Sequence, residues 1–358
     1  RGARQKFEAD EVSILAGVRH GVTTGAPVSI RIGNSEWPKW ETVMSADPVD
    51  PSALLIDAGT GDEREIARNR PLTRPRPGHA DLPGMLSYDL PEARPVLERA
   101  SARETAARVA LGALAEALLE QVAGVRLVSH VIAVGTQRTN SEVVPTPADE
   151  NALCEASMRT LDTADNARFE AAVDEAKHAG DTIGGVVEVI AYGVPVGLGT
   201  HVTARERLDA RLAAALMSIQ SVKGVEIGDG FAQAALLGSA AHDEIVRGED
   251  GHLVRVSNHA GGIEGGTSNG APVVARAAFK PISTVPRALR SVDLAPGEEA
   301  VGLHQRSDTC QVVPGALICE AEVALVLADA LFEHAGGRSV TEMRRNLAAY
   351  LRRVGERA

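Results

Sequence analysis

Aromatic residues are scarce: Phe, Trp and Tyr make up 3% of the 358 residues. A core without large rings must be filled by many small aliphatic side chains, which suits closely packed helices against sheets. Cysteine is nearly missing as well. The three thiols, Cys154, Cys310 and Cys319, include no CxxC pair, which excludes a disulfide framework and points to a reducing, cytoplasmic setting. His304, Cys310 and Cys319 lack the spacing of a structural zinc site, so no metal is expected. No apolar run approaches the roughly 18 residues of a membrane-spanning helix, and no signal-like segment opens the chain. Positive charge is in deficit. A formal net charge of −11 argues against general nucleic-acid binding. Small anionic ligands stay open, because a local arginine cluster can override the global sign.

Hydrophobic residues at 44% and charged residues at 24% fit a globular protein with a sizeable core. Strand–turn–strand is expected over 11–34, where Pro27 to Ile32 alternates apolar and polar. Residues 35–97 are rich in proline and weakly periodic, which reads as a long irregular functional region. The clearest helix is expected over 101–122, opened by a capping-box pattern in Ser101-Ala102-Arg103-Glu104. A strand over 125–134, helices near 165–179 and 205–222, a hairpin over 185–199 around Gly193, and helices over 321–333 and 340–354 follow. Gly25-Ala26-Pro27-Val28, followed by Arg31, is echoed by Gly270-Ala271-Pro272-Val273, followed by Arg276. The echo is either chance or the mark of two related halves. With no composition break between them, such halves would share one core, so 1–358 is read as a single domain. The chain begins with Arg1 rather than Met, and we read it as the remainder of a longer one.

Four segments carry candidate chemistry. In Arg74-Pro75-Arg76-Pro77-Gly78-His79-Ala80-Asp81, prolines stiffen a loop holding two guanidiniums and an imidazole. Read alone, it is more readily a solvated basic loop. Glu98 to Arg108 surrounds an expected helix start, where free N–H groups favour an anion, although Ser101 and Glu104 could simply cap the helix. Between Asn258 and Thr284, five glycines precede a strand ending at Lys280. Their spacing matches neither a P-loop nor a dinucleotide fingerprint, and glycine-rich turns are usually only turns. Arg306-Ser307-Asp308 pairs a cation with a carboxylate, or forms a surface ion pair.

Taken in order, these segments resemble the chorismate synthase family. The resemblance rests on Arg76 to Asp81, Glu98 to Gly112, Val222 to Phe231, Ala260 to Ile263, Lys280 to Pro286 and Arg306 to Cys310, and it covers nearly the whole chain. There are two departures: Thr309 stands where many members have proline or a small residue, and the opening Gly-Glu-Ser-His-Gly motif, with one of two key histidines, would lie upstream of Arg1.

The resemblance implies an α+β fold, a β-α-β sandwich with helices packed between two antiparallel sheets and an internal pseudo-repeat, assembled as a homotetramer. It implies a lyase that eliminates phosphate from 5-enolpyruvylshikimate 3-phosphate in a 1,4-anti sense to give chorismate, the last common step of aromatic amino acid biosynthesis. The cofactor implied is reduced FMN (FMNH2), which transiently donates an electron and whose N5 takes the C6 proton. Carried over by motif, His79 supplies a proton to the flavin and Asp308 relays one near N5. Arg99, Ala100, Ser101, Gln220, Ser221, Gly265, Lys280, Pro281, Ile282, Ser283, Thr284 and Arg306 line the FMN site. Arg1, Arg4 and Arg76 hold the substrate anions. Arg1 also matches a family position for a nicotinamide cofactor (NADP), but a bacterial-type chain without a long insertion is expected to receive flavin reduced elsewhere, by an external flavin reductant. Two other readings compete: a flavin or phosphate-ligand binding module without turnover, and a dinucleotide dehydrogenase, which the lack of a Rossmann fingerprint disfavours.

Overall fold

The computed structural model describes residues 10–55, 68–249, 251–302 and 308–356. They fall into two compact units, one drawn from Arg1–Glu104 and Ser283–Asp308, the other from Thr105–Ile282 and Thr309–Ala358. The fold is α+β.

In the first unit, β1 (Val12–Ala16) pairs antiparallel with β2 (Ser29–Ile32), with a bulge between Ile14 and Ala16. This is the strand–turn–strand expected there. The proline-rich segment differs from its reading as irregular chain. It holds a short helix at Pro51–Leu55, then α1 (Asp81–Tyr88) and α2 (Arg94–Ala100). The physical reason lies in where the prolines sit. Pro51, Pro83 and Pro95 occupy first helical turns, where the missing N–H would have had no intrahelical partner anyway. Leu72, Met85 and Ala93 form a small core under these helices. A hairpin of Arg290–Asp293 with Glu298–Val301 belongs to the same unit. It anchors the chain before α1: the Ser291 hydroxyl donates to the Pro75 carbonyl at 2.5 Å and Leu294 N–H to the Thr73 carbonyl at 3.0 Å.

The second unit is built on a five-stranded antiparallel sheet. Its strands are β3 (Arg126–Val134), β4 (Gln137–Arg138), β5 (Gly185–Tyr192), β6 (Val222–Ile227) and β7 (Val273–Phe279), in the spatial order β4-β3-β5-β7-β6. The other strand pairings among the described residues are two-stranded. Alternation along β7 puts Val273, Ala275, Ala277 and Phe279 into the core and leaves Arg276 and Ala278 on the other face. Helices α3 (Thr105–Ala123), α4 (Thr163–His178), α5 (Leu208–Met217), α6 (Val312–Ala335) and α7 (Val340–Gly355) complete the unit. Core side chains of α3, α5 and α6 pack with Val131, Val187, Val189 and Ala275 of the sheet. Small residues let two of these helices meet closely: a Cβ added at Gly112 of α3 would lie 2.3 Å from the Cβ of Ala321 of α6.

Two local readings are corrected. The helix expected from Ser101 begins at Thr105, after a 3-10 turn at Ala102–Glu104. The Ser101 hydroxyl accepts from Arg103 N–H at 3.2 Å, a short-range turn bond that competes with helical capping. The hairpin expected around Gly193 is one strand only: after β5 the chain turns at Gly193 (φ +74) and Gly199 bridges Thr267. The neighbours of β5 are supplied from far along the chain, as β3 and β7. Both copies of Gly-Ala-Pro-Val lead into strands, β2 and β7, with Gly25 and Gly270 at φ +82 and +93.

Candidate active site

The first unit folds its proline-glycine loop around one carboxylate. Arg76-Pro77-Gly78-His79 has proline second, Gly78 third at φ +76, and His79 N–H donating to the Arg76 carbonyl at 3.3 Å, the signature of a type II turn. The turn returns the chain onto Arg76, and Asp81 opens α1. A carboxylate in a first helical turn is favoured by the helix dipole. Asp81 is fully buried, at 0% exposure. Its Oδ2 accepts from Arg76 N–H at 3.0 Å and Arg76 Nε at 2.8 Å. Its Oδ1 accepts from Arg76 Nη2 at 3.1 Å and His79 Nδ1 at 2.5 Å. Burial pushes the Asp81 carboxyl up, but the bonds from His79 and Arg76 outweigh it and hold it well below the usual carboxylate range.

That ionised carboxylate assigns the imidazole hydrogen. A carboxylate oxygen has no proton to give, so the bond to Oδ1 requires Nδ1 to carry one. Arg76 Nη2, 3.0 Å from Nδ1 and 3.3 Å from Nε2, then packs along the ring and has only Nε2 as an acceptor there. The ring keeps 17% of its side-chain surface exposed.

Arg76 donates from Nη1 to the Thr284 hydroxyl at 3.0 Å. Two expected site residues from distant parts of the sequence therefore meet. The guanidinium is largely committed within the protein, with one Nη1 and one Nη2 hydrogen left beyond the Asp81 and Thr284 bonds. Elsewhere in this unit Arg99 lies in the last turn of α2, with a side chain 76% exposed and an ion pair to Glu104 at 3.6 Å. Ala100 and Ser101 follow it, and Ser283 is half-buried next to buried Thr284. Asp308 is exposed.

In the second unit, Lys280 N–H donates to the Ser221 carbonyl at 2.9 Å, with Ser221 held at φ +71. Gln220 precedes it at the entry to β6. The Thr182 hydroxyl donates to the Ile282 carbonyl at 2.7 Å, and Ile183 N–H to the Thr309 carbonyl at 2.9 Å. One short turn thus fixes the points where the chain leaves this unit and re-enters it. Pro281 lies exposed between Lys280 and Ile282. Gly265 is exposed in a two-residue hairpin turn with Gly266, both at positive φ as such turns require. Arg1, Arg4 and Arg306 lie outside the described residues.

Sequence reading overlooked the centre of the loop: Asp81 was read with the motif but given no role. A second ion array was missed entirely. Cross-strand register places His130 opposite Glu188 and Glu188 opposite Arg276. Glu188 accepts from His130 Nε2 at 2.9 Å and from Arg276 Nε at 2.6 Å, beside a cavity of about 640 Å³ that all three line. A charged residue inside each of three apolar strands was the available signal. Among the described residues no group of three or more His, Cys, Asp or Glu could hold a metal ion, and no helix is long and apolar enough to cross a membrane.

A family model described as chorismate synthase matches residues 1–332. A chorismate synthase from Beutenbergia cavernae is 60% identical over 357 residues, covering 99% of this chain and 88% of its own. One from Mycobacterium sp. (strain KMS) is 57% identical over 357 residues, covering 100% of this chain and 86% of its own. A crystal structure of chorismate synthase superposes with a TM-score of 0.74 at 33% identity, over 99% of this chain and 87% of that one.

Proposed function

The chain belongs to the chorismate synthase family, and on that premise we propose how its residues divide the work of a carbon–oxygen lyase. The substrate is 5-enolpyruvylshikimate 3-phosphate. The carbon–oxygen bond to phosphate breaks, the C6 proton leaves, and the new double bond gives chorismate and inorganic phosphate with no net oxidation or reduction. The observation that carries the reading is the loop in which Asp81 binds both Arg76 and His79. It presents an imidazole, bonded through Nδ1 to the carboxylate, beside a guanidinium, in a motif that resembles the family's.

In this reading His79 carries a proton to the cofactor, and Asp308, whose carboxylate is exposed, relays another. Arg76 offers its remaining Nη1 hydrogen to a substrate anion, while Arg1 and Arg4 are assigned to the same task by motif alone.

The residues at hand suit reduced FMN. Arg99 presents a mostly exposed guanidinium to a phosphate. Ser101, Ser283 and Thr284 supply hydroxyls, and Gln220 an amide. Lys280 supplies a cation at the end of β7. Gly265 and Ser221 stand at positive φ, where backbone turns sharply and a flat ring can approach peptide groups. Ala100, Pro281 and Ile282 add apolar surface, and Arg306 joins the set by motif. When bound, reduced FMN supplies an electron-rich ring and a base for the departing proton. The chain's own residues hold the anions, keep His79 in one tautomer and exclude water, which strengthens every charged contact. The whole chain is taken as one functional domain, working as a cytoplasmic homotetramer with flavin reduced by an outside donor.

Anaerobic incubation of the protein with 5-enolpyruvylshikimate 3-phosphate and dithionite-reduced FMN tests the reading. Chorismate and phosphate are expected in equal amounts, and only when the flavin is reduced. FMN binding without chorismate would reduce the protein to a binding module.

A further inference from the structure

We propose that Asp81 is the positioning residue of the reaction: it fixes His79 as the Nδ1–H tautomer, so that Nε2 is the atom that takes up and gives away the proton. The inference rests on His79 being the proton carrier, and its first test is independent of turnover.

The geometry leaves little choice. Asp81 Oδ1 lies 2.5 Å from His79 Nδ1, while Oδ2 is taken by two Arg76 donors at 2.8 and 3.0 Å. Arg76 thus performs two tasks on Asp81. Its positive charge keeps the carboxylate ionised, and its two-pronged grip prevents the carboxylate from rotating away from the ring. Thr284 holds the other arm of the guanidinium at 3.0 Å and so extends the support to the segment that follows β7 in sequence. Arg76 and Asp81 are the charged side chains within hydrogen-bonding reach of the ring among the described residues. They act in opposite directions on a protonated ring. Asp81 stabilises the imidazolium through Nδ1–H, while Arg76 opposes it and its 3.3 Å contact with Nε2 is surrendered when Nε2 gains a proton. A carboxylate behind one ring nitrogen is a general way to orient an imidazole and to stabilise the cation formed in turnover.

The test is ¹⁵N NMR of the histidine-labelled full chain without flavin, with His79 identified by its loss in His79→Ala. A protonated Nδ1 and an unprotonated Nε2 are expected in the neutral ring. An Nε2–H tautomer, or an even mixture, would overturn the proposal. Asp81→Asn is the second arm. If it keeps a native circular-dichroism spectrum, its His79 loses the single Nδ1–H tautomer and kcat drops by about 10²-fold with KM within about twofold. A folded Asp81→Asn with unchanged tautomer and kcat would equally overturn it. If the variant does not fold, the wild-type tautomer still decides. Wild-type turnover in His79→Ala would sink the functional reading instead, and would leave the tautomer result standing.

Discussion

The molecule twice solves the same problem, a buried carboxylate shared by a histidine and an arginine, and the two solutions differ in how the chain is spent. In the first unit Asp81 gathers Arg76 and His79 from within five positions of itself, using one turn and one helix start. In the second, Glu188 gathers His130 from 58 positions away and Arg276 from 88, using the register of three strands. The first is a loop fixed by local turn chemistry, with its ring partly open to solvent. The second is part of a sheet and cannot shift without breaking the ladder. Both carboxyls are pushed up by burial and held below their usual range by their partners, His79 first for Asp81 and His130 first for Glu188. Charge and partner type therefore do not set the two arrays apart. What does is that one ring lies in a motif-bearing loop and the other in a strand ladder.

The comparison is broken most directly by removing one member of each array. His79→Ala is expected to lower turnover by at least ~10²-fold while FMN binding, followed by fluorescence quenching, is largely kept. Asp308→Ala should behave alike. Glu188→Gln should do the reverse. Removing one partner of a buried ion group strands the others, at about 3 kcal/mol, so the thermal midpoint drops by several degrees while kcat stays within about twofold. A large kcat loss in Glu188→Gln would mean that the sheet array takes part in the reaction.

How much of this was legible follows from the same contrast. The loop could be read because Pro77, Gly78, His79 and Asp81 are neighbours in sequence and their turn preferences are local. Strand β3 could be read from its run of apolar residues and β7 from apolar alternation. Strand partners could not: nothing near Gly193 says that β5 pairs with β3 and β7 rather than with its own continuation. The helices at 81–88 and 94–100 were hidden because the segment is proline-rich and weakly periodic, whereas its prolines sit in first helical turns. Asp81 was seen yet undervalued, since a sequence shows that a carboxylate is near an arginine but not that it is buried against it.

Acid sharpens the comparison further. For Asp81 and Glu188 the folded-state pKa lies below the unfolded one, so the stability each contributes is fully present above the ordinary carboxylate range. It is lost as pH falls through the depressed value. Asp81→Asn and Glu188→Gln should each flatten the acid limb of a thermal-midpoint profile. An unchanged limb in either would mean that its ion group contributes nothing to pH-dependent stability.

A third carboxylate cluster, where one arginine is outnumbered, gives the opposite sign and the smallest effect. Arg159 pairs with Glu150 at 2.9 Å and Glu320 at 3.4 Å, and Glu116 stands by with its carboxyl pushed up to about 7 by burial, then by Glu320 and Glu150. Glu116 therefore binds its proton more tightly folded than unfolded. Stability falls as pH rises from about 4.5 to about 7, and the cost stays in place above that. Glu116→Gln should raise the thermal midpoint modestly at pH 8 and leave it unchanged near pH 4. A lower midpoint at pH 8 would contradict this.

One side-by-side experiment tests the central claim, that the Asp81-held His79 carries the proton of a phosphate-eliminating lyase. Wild type, His79→Ala and Glu188→Gln are given 5-enolpyruvylshikimate 3-phosphate and dithionite-reduced FMN without oxygen, and chorismate and phosphate are followed together. The account predicts equal yields of both products from wild type, near-equal rates in Glu188→Gln, and a rate at least ~10²-fold lower in His79→Ala. Equal rates in wild type and His79→Ala, or no chorismate from wild type, would contradict it.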